Sequence, residues 1–272
     1  MSLVLCQPAN TFSGRGRSSW VCRKNVTLER LNCLWHQFSG VSSVQNQQTS
    51  IVFDRERAAN YDKSTAKFAP LGEALHFLIR LILADLPTDA RILCVGVGTG
   101  TELINLAQAF PQWQFTAVEP AAPMLDICRQ RAEECGITAR CTFHEGYLDS
   151  LPATDLFDAS TCLVVSHFIM QPEERRNFFS QIAVRLRPNG YLISSDLSAD
   201  SSTDAYQNLL KIWLGLFQLP AEQIEKMRSV FGQNVAVLPP IEVESIIASS
   251  GFDRPVLFFQ TLLLHAWYAK RT

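Results

Sequence analysis

The chain has 272 residues, 47% of them hydrophobic and 18% charged, and a formal net charge of -2. Such a composition supplies the core of a globular protein, and near-neutrality removes the whole-chain basic field of a protein that grips nucleic acid through its phosphates. No apolar run approaches the roughly 18 to 20 residues of a membrane span, so the expected setting is cytoplasmic and the expected partner is a small molecule, not a membrane or a nucleic acid. A homodimer is the one protein assembly considered.

Residues 1–50 are rich in Ser, Gln, Asn and Gly, and carry Arg15, Arg17, Arg23, Lys24 and Arg30 against Glu29 alone. Without sustained periodicity they are expected to be a disordered leader, followed by one folded domain over 51–272. The leader also has the outline of a transit peptide, of a lipid-attachment box at Leu3-Val4-Leu5-Cys6 and of a glycosylation acceptor at Asn25-Val26-Thr27, each set below the bland reading. Eight cysteines, at 6, 22, 33, 94, 128, 135, 141 and 162, show neither a Cys-x-x-Cys pair nor metal spacing. They are expected to be free thiols, the last five acting as small hydrophobes, and no metal site is expected.

Two helical pieces, 53–60 and 71–86, precede a strand at 91–95. Then come a helix at 101–110, a strand at 114–119, a helix at 121–135 and strands at 139–144 and 157–163. A helix at 172–186 is expected to stop at Arg187-Pro188-Asn189-Gly190, with a strand at 190–196 beyond. This βαβ series predicts a parallel sheet with helices on both faces. Helices follow at 202–218, 220–231 and 240–250, the last closed by Gly251. The runs VLFFQ and LLLHAWYAK are too close for a crossover helix and predict an antiparallel pair at a sheet edge.

The stretch RILCVGVGTGTE, 91–102, reads as buried strand, tight turn and helix start. Gly96, Gly98 and Gly100 let the backbone approach a ligand, and the unpaired amides of the next helix are expected to hold an anionic group. The spacing is G-x-G-x-G, one residue short of the G-x-G-x-x-G that cradles a pyrophosphate. Nineteen residues after Gly100, Glu119 ends its strand as an acceptor-only fork suited to two adjacent ribose hydroxyls; its plain alternative is a helix-capping acid.

Taken together, ILCVGVGTG, the acid of VEP, the turn EGYLDSLP and LRPNGYLIS resemble the class I S-adenosylmethionine-dependent methyltransferase family over about 51–272. The resemblance implies an α/β fold: a Rossmann-like, seven-stranded, mostly parallel sheet with a C-terminal antiparallel strand pair and a small helical cap at about 200–235. It implies S-adenosyl-L-methionine as cofactor, with Gly96, Val97 and Gly98 at the methionine end, Glu119 and Pro120 at the ribose, Met124, Gly146, Tyr147 and Leu148 at the adenine, and Val164 beyond the fourth strand. The chain departs from the family at Cys94, where an acid is usual, and at Tyr147-Leu148, where Asp and a small apolar residue are usual. Each departure removes a contact worth on the order of 1 kcal/mol.

Methyl transfer from a sulfonium needs no proton on the leaving group, so positioning carries much of the rate. If a base exists, it belongs beyond the carboxyl ends of strands 91–95 and 157–163. His167, in Val164-Val165-Ser166-His167, is the candidate there, set against a structural histidine; Tyr147 and Asp196 are weaker candidates on the same rim. Tyr61 and Asp62 are candidates for a lid, against an amphipathic helix packing by Phe53, Ala58 and Tyr61. His76 and His265 are read as structural, and His144 as a strand end. Trp213, Phe217 and Phe231 follow helical spacing and are read as core before substrate cage.

LPAEQIEKMRS, IEVESIIASSGF and FFQTLLLHAWYAK resemble the tail of the carboxy-S-adenosylmethionine synthase branch, whose members act in transfer-RNA wobble-uridine modification. That branch holds the extra carboxylate with an arginine, whereas WLGLFQL, 213–219, contains no cation. An unpaired carboxylate in apolar surroundings is costly, which favours the ordinary methyl donor. The expected function is methylation of a small-molecule acceptor. The rivals are a carboxy-S-adenosylmethionine synthase-like enzyme, a catalytically silent cofactor-binding regulator and, last, a nicotinamide enzyme.

Overall fold

The structure, a computed structural model, describes residues 54–272. The expected leader at 1–50, its targeting and glycosylation motifs, Cys6, Cys22, Cys33 and Phe53 lie outside the described residues.

Four strands form the buried middle of the sheet: β1 (Arg91–Val95), β2 (Gln114–Glu119), β4 (Phe157–Leu163) and β5 (Leu186–Leu197). Their apolar residues face helices on both sides, the burial that βαβ crossovers impose on a parallel sheet. β3 (Cys141–Glu145) closes one edge, and β6 (Val256–Thr261) with β7 (Leu264–Lys270) closes the other as the expected antiparallel pair. The strand order is β3-β2-β1-β4-β5-β7-β6, seven strands in one sheet. The order reverses between β1 and β4, and the crevice beyond the carboxyl ends at such a point is where open α/β sheets take ligands.

On one face α2 (Ala69–Ile82), α3 (Thr101–Ala109) and α4 (Ala122–Glu134) bury Ile79, Leu103, Leu106, Leu125 and Cys128 against Ile92, Cys94, Phe115 and Ala117. On the other, α5 (Pro172–Ala183) and α8 (Pro240–Ala248) bury Phe179, Ile182, Val243 and Ile247 against Leu93, Val95, Leu192 and Trp267. Proline in the first turn starts α2, α4, α5 and α8, where its missing N–H would have no partner in any case.

A third core lies under the cap. Here α6 (Asp204–Gly215), capped by the Thr203 hydroxyl accepting from the Tyr206 amide at 3.2 Å, packs Leu210, Trp213 and Leu214 with Leu197, Val235 and Leu263, and α7 (Ala221–Val230) adds Ile224 and Met227. The entry helix α1 (Arg55–Thr65) leads through a 3-10 turn at Ala66–Phe68 into this core, where Phe68 meets Trp213 and Phe217 at ring separations of 4.8 and 5.1 Å.

Among the boundaries that differ from the sequence expectation, two have a clear physical cause. Helix α2 ends at Ile82, not 86, since Pro87 disfavours the helical conformation of the residue before it. Helix α5 ends at Ala183, and Arg187-Pro188-Asn189-Gly190 lies inside β5, not before it. The Phe157 amide donates to the Arg185 carbonyl at 2.9 Å and Leu186 pairs with Phe157, so strand pairing captures the chain before the helix reaches its breakers. The four residues bulge out opposite Asp158, whose carboxylate accepts from the Arg187 guanidinium at 2.6 Å and the Arg91 amide at 2.8 Å.

Candidate functional site

Beyond β1 the chain turns through Gly96, Gly98 and Gly100 at φ of +65°, +56° and +84°. These left-handed values come without steric cost only to glycine. A Cβ at Gly100 would also stand 2.6 Å from Cys128 Sγ, so this glycine lets α3 begin hard against α4. That contact explains a third glycine placed one residue early for a pyrophosphate.

Four amides of the turn are paired within the chain. Gly96 and Val97 donate to the Val118 carbonyl at 2.8 and 3.2 Å, Gly98 to Glu119 Oε2 at 3.0 Å, and Gly100 to the Val97 carbonyl at 3.0 Å. At the start of α3 the backbone amides of Glu102 and Leu103 favour the charged form of the Glu102 carboxyl, against its burial. Of the amides expected to meet an anion, that of Gly98 is taken by the chain's own Glu119 carboxylate.

Glu119 and Glu102 are each only 8% exposed. Burial raises the Glu119 carboxyl above the usual range, opposed by hydrogen bonds from Ala121, at 2.9 Å to Oε1, and Gly98. Burial, then the charge of Glu119, pushes Glu102 up to about 8. Neither acid has an ion-pair partner among the described residues. A turn flanked by two buried acids with no ion-pair partner suits a ligand bearing positive charge and hydroxyls better than a pyrophosphate.

The other expected cofactor residues surround this turn unevenly. The Met124 methyl lies 3.6 Å from where a Cβ on Gly98 would stand, and the Gly146 amide donates to the Glu119 carbonyl at 3.1 Å. Pro120 is exposed and Tyr147 stands 69% exposed on the rim. Leu148 is buried with Val118 and Phe179 in the α5-side core. At the exit of β4, Val164 has φ +59°, its amide donating to the Ser195 carbonyl at 2.8 Å, and Val165 packs on the first glycine. A β-branched residue in the left-handed region stores strain on the order of 1 to 3 kcal/mol.

Across the crevice, two separately expected residues meet. His167 Nδ1 lies 3.1 Å from Asp196 Oδ1, and the His167 amide donates to the same oxygen at 2.9 Å. An ionised carboxylate only accepts, so Nδ1 is assigned the proton and Nε2 keeps its lone pair. The Ser166 hydroxyl donates to Asp196 Oδ2. Arg175, which the sequence reading passed over, runs beneath: it is 1% exposed, and its Nε donates to the Ser166 carbonyl at 2.8 Å and a terminal nitrogen to the Ala236 carbonyl at 3.2 Å. Burial lowers its pKa and the charge of Asp196 opposes that. The Ala236 amide in turn donates to the His167 carbonyl at 2.8 Å, tying the cap to this rim.

The lid candidates divide. Asp62 of α1 accepts from the Thr99 hydroxyl at 2.9 Å and from Arg131, which also reaches Thr99 Oγ1 at 3.2 Å, so α1 is latched onto the glycine turn. Tyr61 is half-buried on the same helix, and Ala58 is buried. Lys67 Nζ donates to the Phe217 carbonyl at 3.1 Å and Gln218 Oε1 at 3.0 Å, bringing a cation to the cap segment whose own sequence has none. Trp213, Phe217 and Phe231 lie in the cap core. His265 is buried with Nδ1 3.1 Å from the Leu263 carbonyl, His76 is half-buried, and burial lowers the pKa of both. His144 Nε2 lies 2.9 Å from the Ser150 hydroxyl. Cys94, Cys128 and Cys162 are buried as small hydrophobes, but Cys135 is exposed, at the C-cap of α4 and outside any core.

Strand order, the switch-point crevice and the glycine turn define a Rossmann-like cofactor-binding protein. Residues 92–190 match a methyltransferase domain family. The chain is 26% identical over 174 residues to a carboxy-S-adenosyl-L-methionine synthase of Campylobacter jejuni, a match covering 62% of this chain and 71% of that protein. Among solved structures it resembles a protein described as an O-methyltransferase from Nostoc punctiforme (TM-score 0.58, 16% identity, 75% of this chain and 57% of that one). It also resembles an O-methyltransferase family 2 protein from Planctomyces limnophilus (TM-score 0.55, 18% identity, 82% and 63%). It thus spans less than two thirds of these two structures. These matches support the class I S-adenosylmethionine-dependent methyltransferase superfamily for this chain, with a likeness to its carboxy-S-adenosylmethionine synthase branch, and with it S-adenosylmethionine as the cofactor. Among the described residues no helix is long and apolar enough to cross a membrane.

Proposed function

We propose that the protein methylates a hydroxyl of a small acceptor, with His167 as general base. The carrying observation is the buried His167–Asp196 pair at the β4–β5 end of the crevice. S-adenosylmethionine supplies a methyl group on a positively charged sulfur. On this reading Gly96, Val97 and Gly98 face its amino-acid end, Glu119 and Pro120 its ribose, Met124, Gly146, Tyr147 and Leu148 its adenine, and Val164 the methyl side. A neutral hydroxyl is a weak nucleophile until its proton leaves. His167 Nε2 takes that proton as the oxygen attacks, while Asp196 fixes the ring and stabilises the imidazolium. On this reading the cap and the latched α1 cover the crevice, which suits a small acceptor better than a macromolecule.

A screen of phenolic and enolic acceptors with isotopically labelled methyl donor tests this reading. It expects labelled methyl ether and a turnover lost in His167→Ala; cofactor binding with no acceptor turned over would point to the silent regulator. A second reading, carboxy-S-adenosylmethionine synthesis, draws on the named relatives and on Lys67, a cation beside Phe217 and Gln218 able to face a carboxylate. Mass spectrometry of the co-purifying cofactor separates the two, a carboxylated sulfonium favouring the second.

A further inference from the structure

Of the two acids at the glycine turn, Glu102 has been given no role by any motif, and its surroundings are unusual for a carboxylate. It lies on the buried stripe of α3 with Leu103, Leu106 and Ala107. The groups that sense its charge are Glu119 on β2, Cys94 on β1, Cys128 on α4 and Cys162 on β4. Not one is a cation. A charge on an apolar helix stripe with no ion-pair partner among the described residues destabilises the free protein unless something outside the chain compensates it.

Position says which part of the ligand that is. The sheet runs β3-β2-β1-β4, with Tyr147 beyond β3, Glu119 at the end of β2, and Glu102 in the first turn of α3, directly after the glycine turn that leaves β1. A ligand laid with its base at Tyr147 and its ribose at Glu119 brings its amino-acid end to Glu102. We propose that Glu102 is the carboxylate that binds the cofactor's α-ammonium, taking over from α3 the charge that the chain lacks at Cys94. This deepens, and rests on, the assignment of S-adenosylmethionine to this turn.

The free protein holds Glu102 largely protonated at pH 7, since burial pushes it up to about 8. An ammonium opposite reverses the balance, so binding expels that proton. Glu102→Gln copies the protonated side chain in shape and charge, and is expected to fold.

Titration calorimetry of the full chain with S-adenosylhomocysteine and with 5′-methylthioadenosine, which keeps base and ribose but lacks the amino-acid end, provides the test. E102Q is expected to weaken the first about 10- to 100-fold, the scale of one charge-assisted hydrogen bond, and the second less than about twofold. Equal weakening of both ligands, or unchanged affinity for the first, overturns the inference. Failure of the wild-type protein to take up either ligand overturns the cofactor site itself, and the inference with it. Should E102Q not fold, the wild-type protein still decides. At pH 7, heats measured in buffers of different ionisation enthalpy must show release of about one proton with S-adenosylhomocysteine and none with 5′-methylthioadenosine. Absence of that difference also overturns the inference.

Discussion

The two rims of the crevice hold their charges in opposite ways. At the β4–β5 rim, Asp196 accepts from Ser166 and the His167 amide and lies against His167 Nδ1, while the buried Arg175 ties the Ser166 carbonyl to the cap, so hydrogen bonds within the chain hold the group together. At the β1–β2 rim, Glu102 and Glu119 are buried and neither has an ion-pair partner among the described residues. The difference teaches where each rim gets its stability. The first is complete in the folded chain and can hold a base in place before any substrate arrives; the second stays costly until a cation arrives.

The largest expected effect breaks the first rim's chemistry and leaves the second alone. His167→Ala should lower turnover by roughly 100- to 10,000-fold with cofactor affinity unchanged, as single-turnover rates and calorimetry would record. Next comes structure. Arg175→Ala strips the Ser166 and Ala236 carbonyls of their buried donor and should cost about 2 to 5 kcal/mol in urea unfolding, whereas Arg176→Ala, whose side chain pairs with Glu173 at the surface, should cost less than about 1 kcal/mol.

The second rim is probed by pH. Glu102 ordinarily titrates at 4.5 and is pushed up to about 8 on folding. Between those values the folded chain keeps a proton that the unfolded chain has released. Its contribution to stability is therefore intact below pH 4.5 and declines as pH rises to about 8, by a few kcal/mol at most. Melting curves of the free protein should show this fall, E102Q should flatten it, and saturating S-adenosylhomocysteine should do likewise. The smallest effect concerns the latch between α1 and the turn. Asp62→Ala removes a half-exposed ion pair and should move stability by less than about 1 kcal/mol while raising the cofactor dissociation rate in stopped flow.

How far the sequence was legible follows the same division. β1, β2 and β4 came through at their exact limits because apolar periodicity is local, and the glycine turn because its punctuation is local. The α5 and α2 ends did not, since partner strands and a following proline decide them. Arg175 and Glu102 had a signal that went unread: each sits on the apolar stripe of its helix, with Phe179, Ile182 and Ala183 in α5 and with Leu103, Leu106 and Ala107 in α3. A charge in that phase has to find a partner or a ligand. The Asp62–Thr99–Arg131 latch and the arrival of Lys67 at Gln218 had no such signal, because contacts between residues so far apart exist only once the fold is assembled.

Val164 carries a last consequence. Glycine would adopt its φ of +59° without effort, yet the chain places a branched side chain there, so the segment leading to His167 is wound against its own backbone preference. Val164→Gly should relax that winding; the base would then sample several orientations, and the protein would keep its fold while its pH–rate profile flattened. Tension at the exit of one strand thus acts as the spring that keeps the imidazole aimed.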